Sequence, residues 1–357
     1  MASNLFSKSL KRSALTVALG LCFAGGVSAQ SSVGSVFGDT SANAAVTIEN
    51  LDTGSTRQAT ADASGRFSFA QLSPGRYRVT SGGVSREVLV KLGTGTEVQL
   101  TAAGGATTLD AVTVVGSASI NPIDVSSVES TTVFTAEQIA NLPVASDITA
   151  VALLAPGTVK GDTGFGNLAS FGGSSVAENG YYINGFDVTN MRNMLSFADL
   201  PFQAIAQQQV KTGGYGAEYG RSLGGVISLL TKAGSNEFKF GGAIEWSPSS
   251  LREPGKDVVS RNTNAADPLF VYRSDNESDS VVYSAYASGP IIKDRLFFFA
   301  MVEGRDSQVD SFGALTSSIQ TNKDPQAIVK LDWNITDNHV MEFTGIYNRN
   351  RTRYDDY

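Results

Sequence analysis

The chain has 357 residues, enough for two or three domains, and its 37 glycines and 9% aromatic residues are typical of a β-rich chain with tight turns. Its 34 acidic residues outnumber the 27 basic ones, which argues against a surface that binds DNA or RNA. Only one histidine and one cysteine are present, too few for the usual catalytic zinc site.

Residues 1–29 have the three parts of a signal peptide. A basic start at 8–12 precedes an apolar stretch at 14–27 that is too short to span a bilayer comfortably, and small residues at 27–29 suit a signal peptidase. We expect cleavage before Gln30. Cleavage removes three of the 27 basic residues and no acidic one, so the mature chain carries a net charge of −10.

Two alternatives to a cleaved signal are a retained anchor helix and lipid attachment through Cys22. Leu21 stands where a lipobox needs a small residue, which disfavours lipid attachment. Because the only cysteine leaves with the signal, the mature protein is predicted to have no disulfide and no thiolate chemistry. Past residue 30, no apolar run approaches the roughly 20 residues of a transmembrane helix.

Residues 30–101 carry short alternating runs separated by turn clusters, which predicts an antiparallel β-sandwich. The stretch 62–79 resembles the carboxypeptidase-regulatory-like domain. In that family the module is an accessory to a peptidase or to a receptor. The side chains expected in its core are Phe67, Phe69, Leu72, Tyr77 and Val79.

Residues 102–120 combine a flexible polar spacer with a short β-branched segment. Such a segment, held between flexible stretches, can add to a sheet edge of another protein through main-chain hydrogen bonds. It resembles the TonB box, which implies the protein TonB and its inner-membrane energising complex as partners. The alternative is an ordinary strand of the preceding sandwich. The predicted box consists of Asp110, Ala111, Val112, Thr113, Val114 and Val115.

Residues 121–233 begin with two helix signals. Thr135 and Gln138 have the form of a capping box, so a helix is expected to start there and to stop before Pro143. Asp147 is expected to open a second helix that ends at Pro156-Gly157. Its core face is predicted to carry Ile148, Val151 and Leu154.

Further along the same region, Asn184-Gly185 between two apolar runs is the strongest short hairpin signal. The glycine-rich passage 207–232 and the run 171–175 then closely resemble the plug domain of TonB-dependent receptors, in the Oar-type branch that carries a carboxypeptidase-regulatory-like module in front. One departure concerns 212–214, where many siderophore receptors have Arg-Gly-Pro and this chain has Thr-Gly-Gly. This departure weakens any transfer of siderophore chemistry.

Residues 234–357 contain about five segments of transmembrane-strand length, near 238–246, 281–288, 296–303, 327–335 and 340–347. In the first, Phe238, Phe240, Ile244 and Trp246 share one face; in the fourth, Val329, Leu331, Trp333 and Ile335 oppose Lys330, Asp332 and Asn334.

The connections between these segments alternate in length. Long polar loops are expected at 248–278 and 305–324, and short turns around 289–290 and 337–338, as in outer-membrane barrels with short periplasmic turns. A soluble sandwich is the alternative. Barrels that enclose a plug use about 22 strands, so about five segments are expected to form only part of one. The predicted fold class is mainly β, with a sandwich, an α+β plug and the first strands of an incomplete transmembrane antiparallel barrel.

No constellation of catalytic residues is found. The single histidine, His339, is expected in a solvated turn, and 164–169 fits a dinucleotide fingerprint that lacks a leading strand and a following helix. We therefore predict no enzyme, no metal site and no cofactor.

The leading hypothesis is a Gram-negative outer-membrane receptor, embedded in lipid, for energised uptake of a scarce solute. The extracellular ligand and the residues that contact it are unknown, and no nucleic-acid partner is expected. A secreted or surface-exposed β-sandwich adhesin is the alternative. It predicts a protein that stays soluble after export and never enters outer-membrane fractions.

Overall fold

The computed structural model describes residues 33–100, 129–144, 146–165, 168–195, 197–220, 222–259, 269–312, 317–336 and 339–357. The predicted signal peptide at 1–29 and the predicted TonB box at 110–115 lie outside the described residues. No helix within these ranges is both long and apolar enough to cross a bilayer.

The N-terminal module is a sandwich of two sheets. One sheet has the order β4-β1-β7, with β1 and β7 parallel, and the other has the order β3-β2-β5-β6. All five predicted core side chains are buried between them. The strands are β1 (Gly34–Asp39), β2 (Ala45–Asn50), β3 (Thr56–Thr60), β4 (Arg66–Leu72), β5 (Gly75–Ser81), β6 (Val84–Val90) and β7 (Gly95–Gln99).

The second module, which we call the plug, is built on a five-stranded sheet of order β12-β11-β14-β13-β8. A small sheet pairs β9 with β10 beside it. The elements are β8 (Ser130–Thr135), α1 (Ala136–Asn141), α2 (Ile148–Ala152), β9 (Thr158–Lys160), β10 (Ala169–Phe171), β11 (Gly180–Ile183), β12 (Phe186–Asp187), β13 (Ile205–Gly213) and β14 (Val226–Thr231).

The predicted helix signals of the plug are confirmed in their details. Both bonds of the capping box at Thr135 form, and Asp147 caps α2 by accepting from the Ala150 N–H. The predicted core face of α2 is wrong at one position, because the helix ends at Ala152 and Leu154 is 42% exposed. The Asn184-Gly185 turn joins β11 to β12 with φ of 49° and 83°, as the hairpin signal requires.

The third module is a single antiparallel sheet, which we call the wall. It follows the order β15-β18-β19-β20-β23, and β21 pairs with β19 and β22. A separate short pair joins β16 to β17. The strands are β15 (Lys239–Ser247), β16 (Val258–Val259), β17 (Leu269–Val271), β18 (Glu277–Ile292), β19 (Leu296–Phe312), β20 (Ser317–Lys323), β21 (Gln326–Thr336), β22 (His339–Asn348) and β23 (Arg351–Asp356).

Two predicted connections of the wall are wrong. Gly289-Pro290 lies inside β18, and the chain turns at Asp294 instead, which adopts φ of 63°. The expected polar loop 305–324 is mostly strand, because its alternating polar residues continue the ladder with β18 and then pair with β20. His339 begins β22, where its Nδ1 lies 2.9 Å from the Thr336 hydroxyl.

The two faces of the wall differ as the alternation predicts. Phe240, Ile244 and Trp246 of β15 are 84%, 78% and 67% exposed on the outer face. On β21, Val329 and Trp333 are exposed outside while Lys330 is buried inside. A contiguous apolar outer face of this kind is unfavourable in water and suits a lipid environment.

Candidate functional site at the plug

The plug and the wall share one apolar core. Phe299, Met301 and Ile328 on the inner face of the wall are each at most 2% exposed, and they form a single cluster with plug side chains. The cluster contains Tyr181 and Ile183 of β11 among others. Because protein cores pack at close to crystal density, the described part of the wall leaves little space at this contact while the plug stays in place.

Polar contacts tie the plug to the wall around this core. The Asn184 side-chain N–H groups donate to the Thr231 hydroxyl within the plug and to the Thr344 hydroxyl of β22, both at 2.9 Å. The Thr231 N–H donates back to the Asn184 Oδ1 at 3.0 Å. Asn184 therefore both shapes the hairpin turn and fastens it to the wall, a role that the turn signal alone does not reveal.

A charged cluster lies on the inner face of the wall, the face that also carries Ile328. The Lys330 Nζ lies 3.3 Å from an Asp332 oxygen and 3.5 Å from a Glu342 oxygen, and the Lys330 side chain is 4% exposed. Asp332 of β21 and Glu342 of β22 face each other across the strand pair. Since a buried charge is costly unless it is paired, the two carboxylates offset the burial of Lys330 inside the wall.

Strand β8 lies at one edge of the plug sheet and is the first described strand after the predicted TonB box. Strand β8 pairs with β13 alone in the described sheet, in the register Thr131↔Lys211 to Thr135↔Gln207. An edge strand has one neighbour, so fewer backbone hydrogen bonds hold it than hold a central strand. A force applied to the chain before β8 is therefore passed to this pairing.

A buried ion pair closes the N-terminal end of β8, and we call it the latch. The Lys211 ammonium donates to the Glu129 carboxylate, with side-chain exposures of 4% and 19%. The same ammonium lies 4.8 Å from the ring centroid of Tyr219, a cation–π contact. Burial raises the pKa of Tyr219, so its phenol stays neutral beside the lysine.

Sequence reasoning did not identify the latch. Glu129 and Lys211 are 82 positions apart, and neither stands in a recognisable motif. The only local signal is a lysine within an otherwise uncharged strand, directly after the buried run Gln207–Val210.

Comparison with known proteins identifies the modules. Residues 32–115 match the carboxypeptidase regulatory-like domain, and residues 123–226 match the TonB-dependent receptor plug domain. Over 151 residues the chain is 33% identical to the TonB-dependent transporter Oar of Myxococcus xanthus, an alignment that covers 42% of this chain and 13% of that protein. The chain therefore combines a carboxypeptidase regulatory-like domain with a TonB-dependent receptor plug domain.

Solved structures similar to the chain include an outer-membrane transporter and a siderophore receptor. The transporter YddB from Escherichia coli matches with a TM-score of 0.48 and 16% identity over 62% of this chain and 33% of that one. The siderophore receptor PirA from Acinetobacter baumannii matches with a TM-score of 0.43 and 19% identity over 62% and 32%. The chain thus spans about a third of these structures and about an eighth of Oar.

Proposed function

We propose that the receptor takes up a scarce solute across the outer membrane and that TonB supplies the energy. The observation that carries this proposal is the core shared by the plug and the inner face of the wall, in which Phe299, Met301 and Ile328 are buried. A plug packed in this way works as a closed gate. Passage of a solute beside it requires that the plug moves, and movement against a packed core requires work.

The energy enters through the segment Asp110–Val115, which we propose is the TonB box. Added as a strand to TonB, it transmits a pull from the inner-membrane energising complex to the chain that enters β8. The latch at Glu129 and Lys211 is the first buried contact on that path, and the β8–β13 ladder is the second. Displacement of the plug then starts at its edge strand.

Export by the predicted signal peptide and insertion into the outer membrane complete the proposal. The exposed aromatic face of β15 supports insertion, because Phe240 and Trp246 find a favourable environment in lipid and not in water. The name of the relative Oar, a transporter, supports uptake as the activity. The solute is left unassigned.

The test places a reporter in the shared core of the full-length receptor in TonB-containing cells. Ala204 is fully buried in that core, and Ala204→Cys is a small change. We expect fluorescein maleimide to label the Ala204→Cys site only when cells are energised. Deletion of 110–115 should abolish this labelling, while deletion of the equally long spacer segment 102–107 should preserve it. Equal energised labelling after both deletions would refute the role given to the box.

A further inference from the structure

The N-terminal sandwich is held against the plug through a single turn. The Leu92 N–H donates to the Gln207 Oε1 at 2.8 Å, and the Gln209 side-chain N–H donates to the Leu92 carbonyl at 2.8 Å. All three residues are at most 5% exposed. Two glutamines on one face of β13 thus occupy both backbone hydrogen-bonding groups of one residue of the sandwich, and we call this contact the clamp.

The turn that carries Leu92 is shaped for the clamp. Leu92 follows β6 and is 3% exposed, although the apolar core of the sandwich does not include it among the described residues. The two glutamines of β13 bond its backbone on the plug side. The next residue, Gly93, has φ of +62°, and a Cβ there would stand 2.6 Å from the Gln209 Nε2. Any larger residue at this position would push the glutamine away.

A second contact fixes the sandwich to the wall. The Asn236 N–H donates to the Asp52 carbonyl at 2.9 Å, on the turn between β2 and β3. The Asn236 side chain donates to the Asp294 Oδ1 at 2.7 Å and accepts from the Asp294 N–H at 2.9 Å, at the β18–β19 turn. At Gly54 a Cβ would stand 2.9 Å from the Asp294 Oδ1, so the two turns are in close contact.

Between these two contacts the sandwich covers a cleft of about 730 Å³. The end of the plug contributes Lys232, the inner face of the wall contributes Lys330 and Glu342, and the sandwich closes the cleft with its turns at 50–55 and 71–74. Burial lowers the pKa of Lys232, in keeping with a position screened from water. The sandwich therefore lies across the space beside the plug at the short-turn end of the wall.

We propose that the docked sandwich is a lid, which must leave the plug before the plug can be displaced. The inference rests on the proposed function, since it names a step within energised opening. The linker 101–128, which includes the predicted box, runs from the sandwich to Glu129. A pull on the linker therefore loads the clamp at one end and the latch at the other. A lid that stays docked holds β13, and with it the sheet to which β8 belongs.

The test locks the lid in the full-length receptor that carries the Ala204→Cys reporter. A backbone hydrogen bond of 2.9 Å joins Asn236 to Asp52, so Asp52→Cys with Asn236→Cys is the pair chosen for the bridge. A short bismaleimide bridge replaces the disulfide if oxidation is incomplete. The one cysteine of the 357 residues, Cys22, is predicted to leave with the signal. Fluorescein maleimide labelling of the Ala204→Cys site is read from its own peptide by mass spectrometry.

We expect energised labelling to fall at least about tenfold, to the level of de-energised cells, when the lid is bridged, and to return when the disulfide is reduced. Equal energised labelling in the bridged and open forms would overturn the lid. Absence of energised labelling in the reporter protein without the lock would instead contradict the proposed function. The two failures are therefore distinguishable.

The clamp itself is tested by hydrogen exchange in the same full-length protein. Gln207→Ala with Gln209→Ala should accelerate exchange of the Leu92 N–H by about tenfold or more, because it removes the acceptor of that N–H and the donor to the Leu92 carbonyl. Gln208→Ala is the matched control: it lies on the same strand, but its side chain donates to the Ile148 carbonyl inside the plug. Slow exchange at Leu92 in the double variant would show that the lid is held elsewhere and would overturn the clamp.

Discussion

Neutralising one side of the latch should make the plug's edge strand open more easily. In Glu129→Gln, the Lys211 ammonium remains 4% exposed and loses its carboxylate. Removing one partner of a buried ion pair typically costs about 3–5 kcal/mol. The Tyr219 ring still faces the ammonium and retains about 1 kcal/mol of attraction, so we expect a loss of about 3 kcal/mol.

The two other latch variants give a graded series. Lys211→Met leaves a carboxylate that is 19% exposed and can hydrate partly, so we expect a smaller loss of about 1–2 kcal/mol. The double variant removes both charges and should lie within about 1 kcal/mol of the parent, since a buried pair is often replaceable by neutral groups. A loss of about 3 kcal/mol corresponds to a roughly 100-fold faster opening of β8 at zero force.

Single-molecule force spectroscopy on the full-length receptor in lipid measures this opening, with a handle attached through Ala106→Cys in the linker. The first rupture should move to lower force in Glu129→Gln, move less in Lys211→Met, and return towards the parental force in the double variant. If all three variants opened at the parental force, the latch would bear no load and the path through β8 would be wrong.

Three further predictions concern single positions. Gly225→Ala places a Cβ 2.3 Å from ring atoms of Phe171 and should destabilise the plug by about 2–3 kcal/mol, seen as faster hydrogen exchange of plug amides. Asn184→Ala loses the side-chain hydrogen bonds and strains the positive φ, so it should cost about 2–3 kcal/mol and raise protease cleavage of the plug. Asn184→Gly tolerates the positive φ, so it should differ from the parent protein by the lost hydrogen bonds alone. The hydrogen bonds from Ser64 lower the pKa of Asp62. The contribution of Asp62 to the stability of the sandwich is therefore present above the unfolded pKa of about 3.9 and is lost as pH falls through the folded pKa. Asp62→Asn should remove this acid dependence, measured as amide exchange in the 62–66 turn.

Local signals in the sequence predicted local structure well. The capping box at Thr135 and the Asn184-Gly185 turn each depend on residues within four positions, and both form as expected. The alternation of β15 and β21 correctly separated outer from inner side chains, because period two follows directly from strand geometry. Element lengths were less predictable. The polar run after Glu303 reads as a loop, and only pairing with β18 and β20 makes it a strand.

The functional contacts could not be predicted, because each joins residues far apart in the chain. The clamp joins Leu92 to glutamines 115 and 117 positions away, and the latch spans 82 positions. Three consecutive glutamines in a glycine-rich passage suggest a polar surface. In the structure all three are buried, because their amides satisfy backbone groups of other elements.

One strand of the plug receives the load from both ends of the linker. Gln207, Gln209 and Lys211 are alternate residues on one face of β13, within a regular stretch that two register shifts bracket. The first two hold the sandwich that precedes the linker, and the third holds Glu129, which follows it. A pull on the linker therefore tends to strip polar partners from a single face of a central strand. Once they leave, that face exposes buried amides and an ammonium that water solvates readily, and this solvation favours the displaced plug.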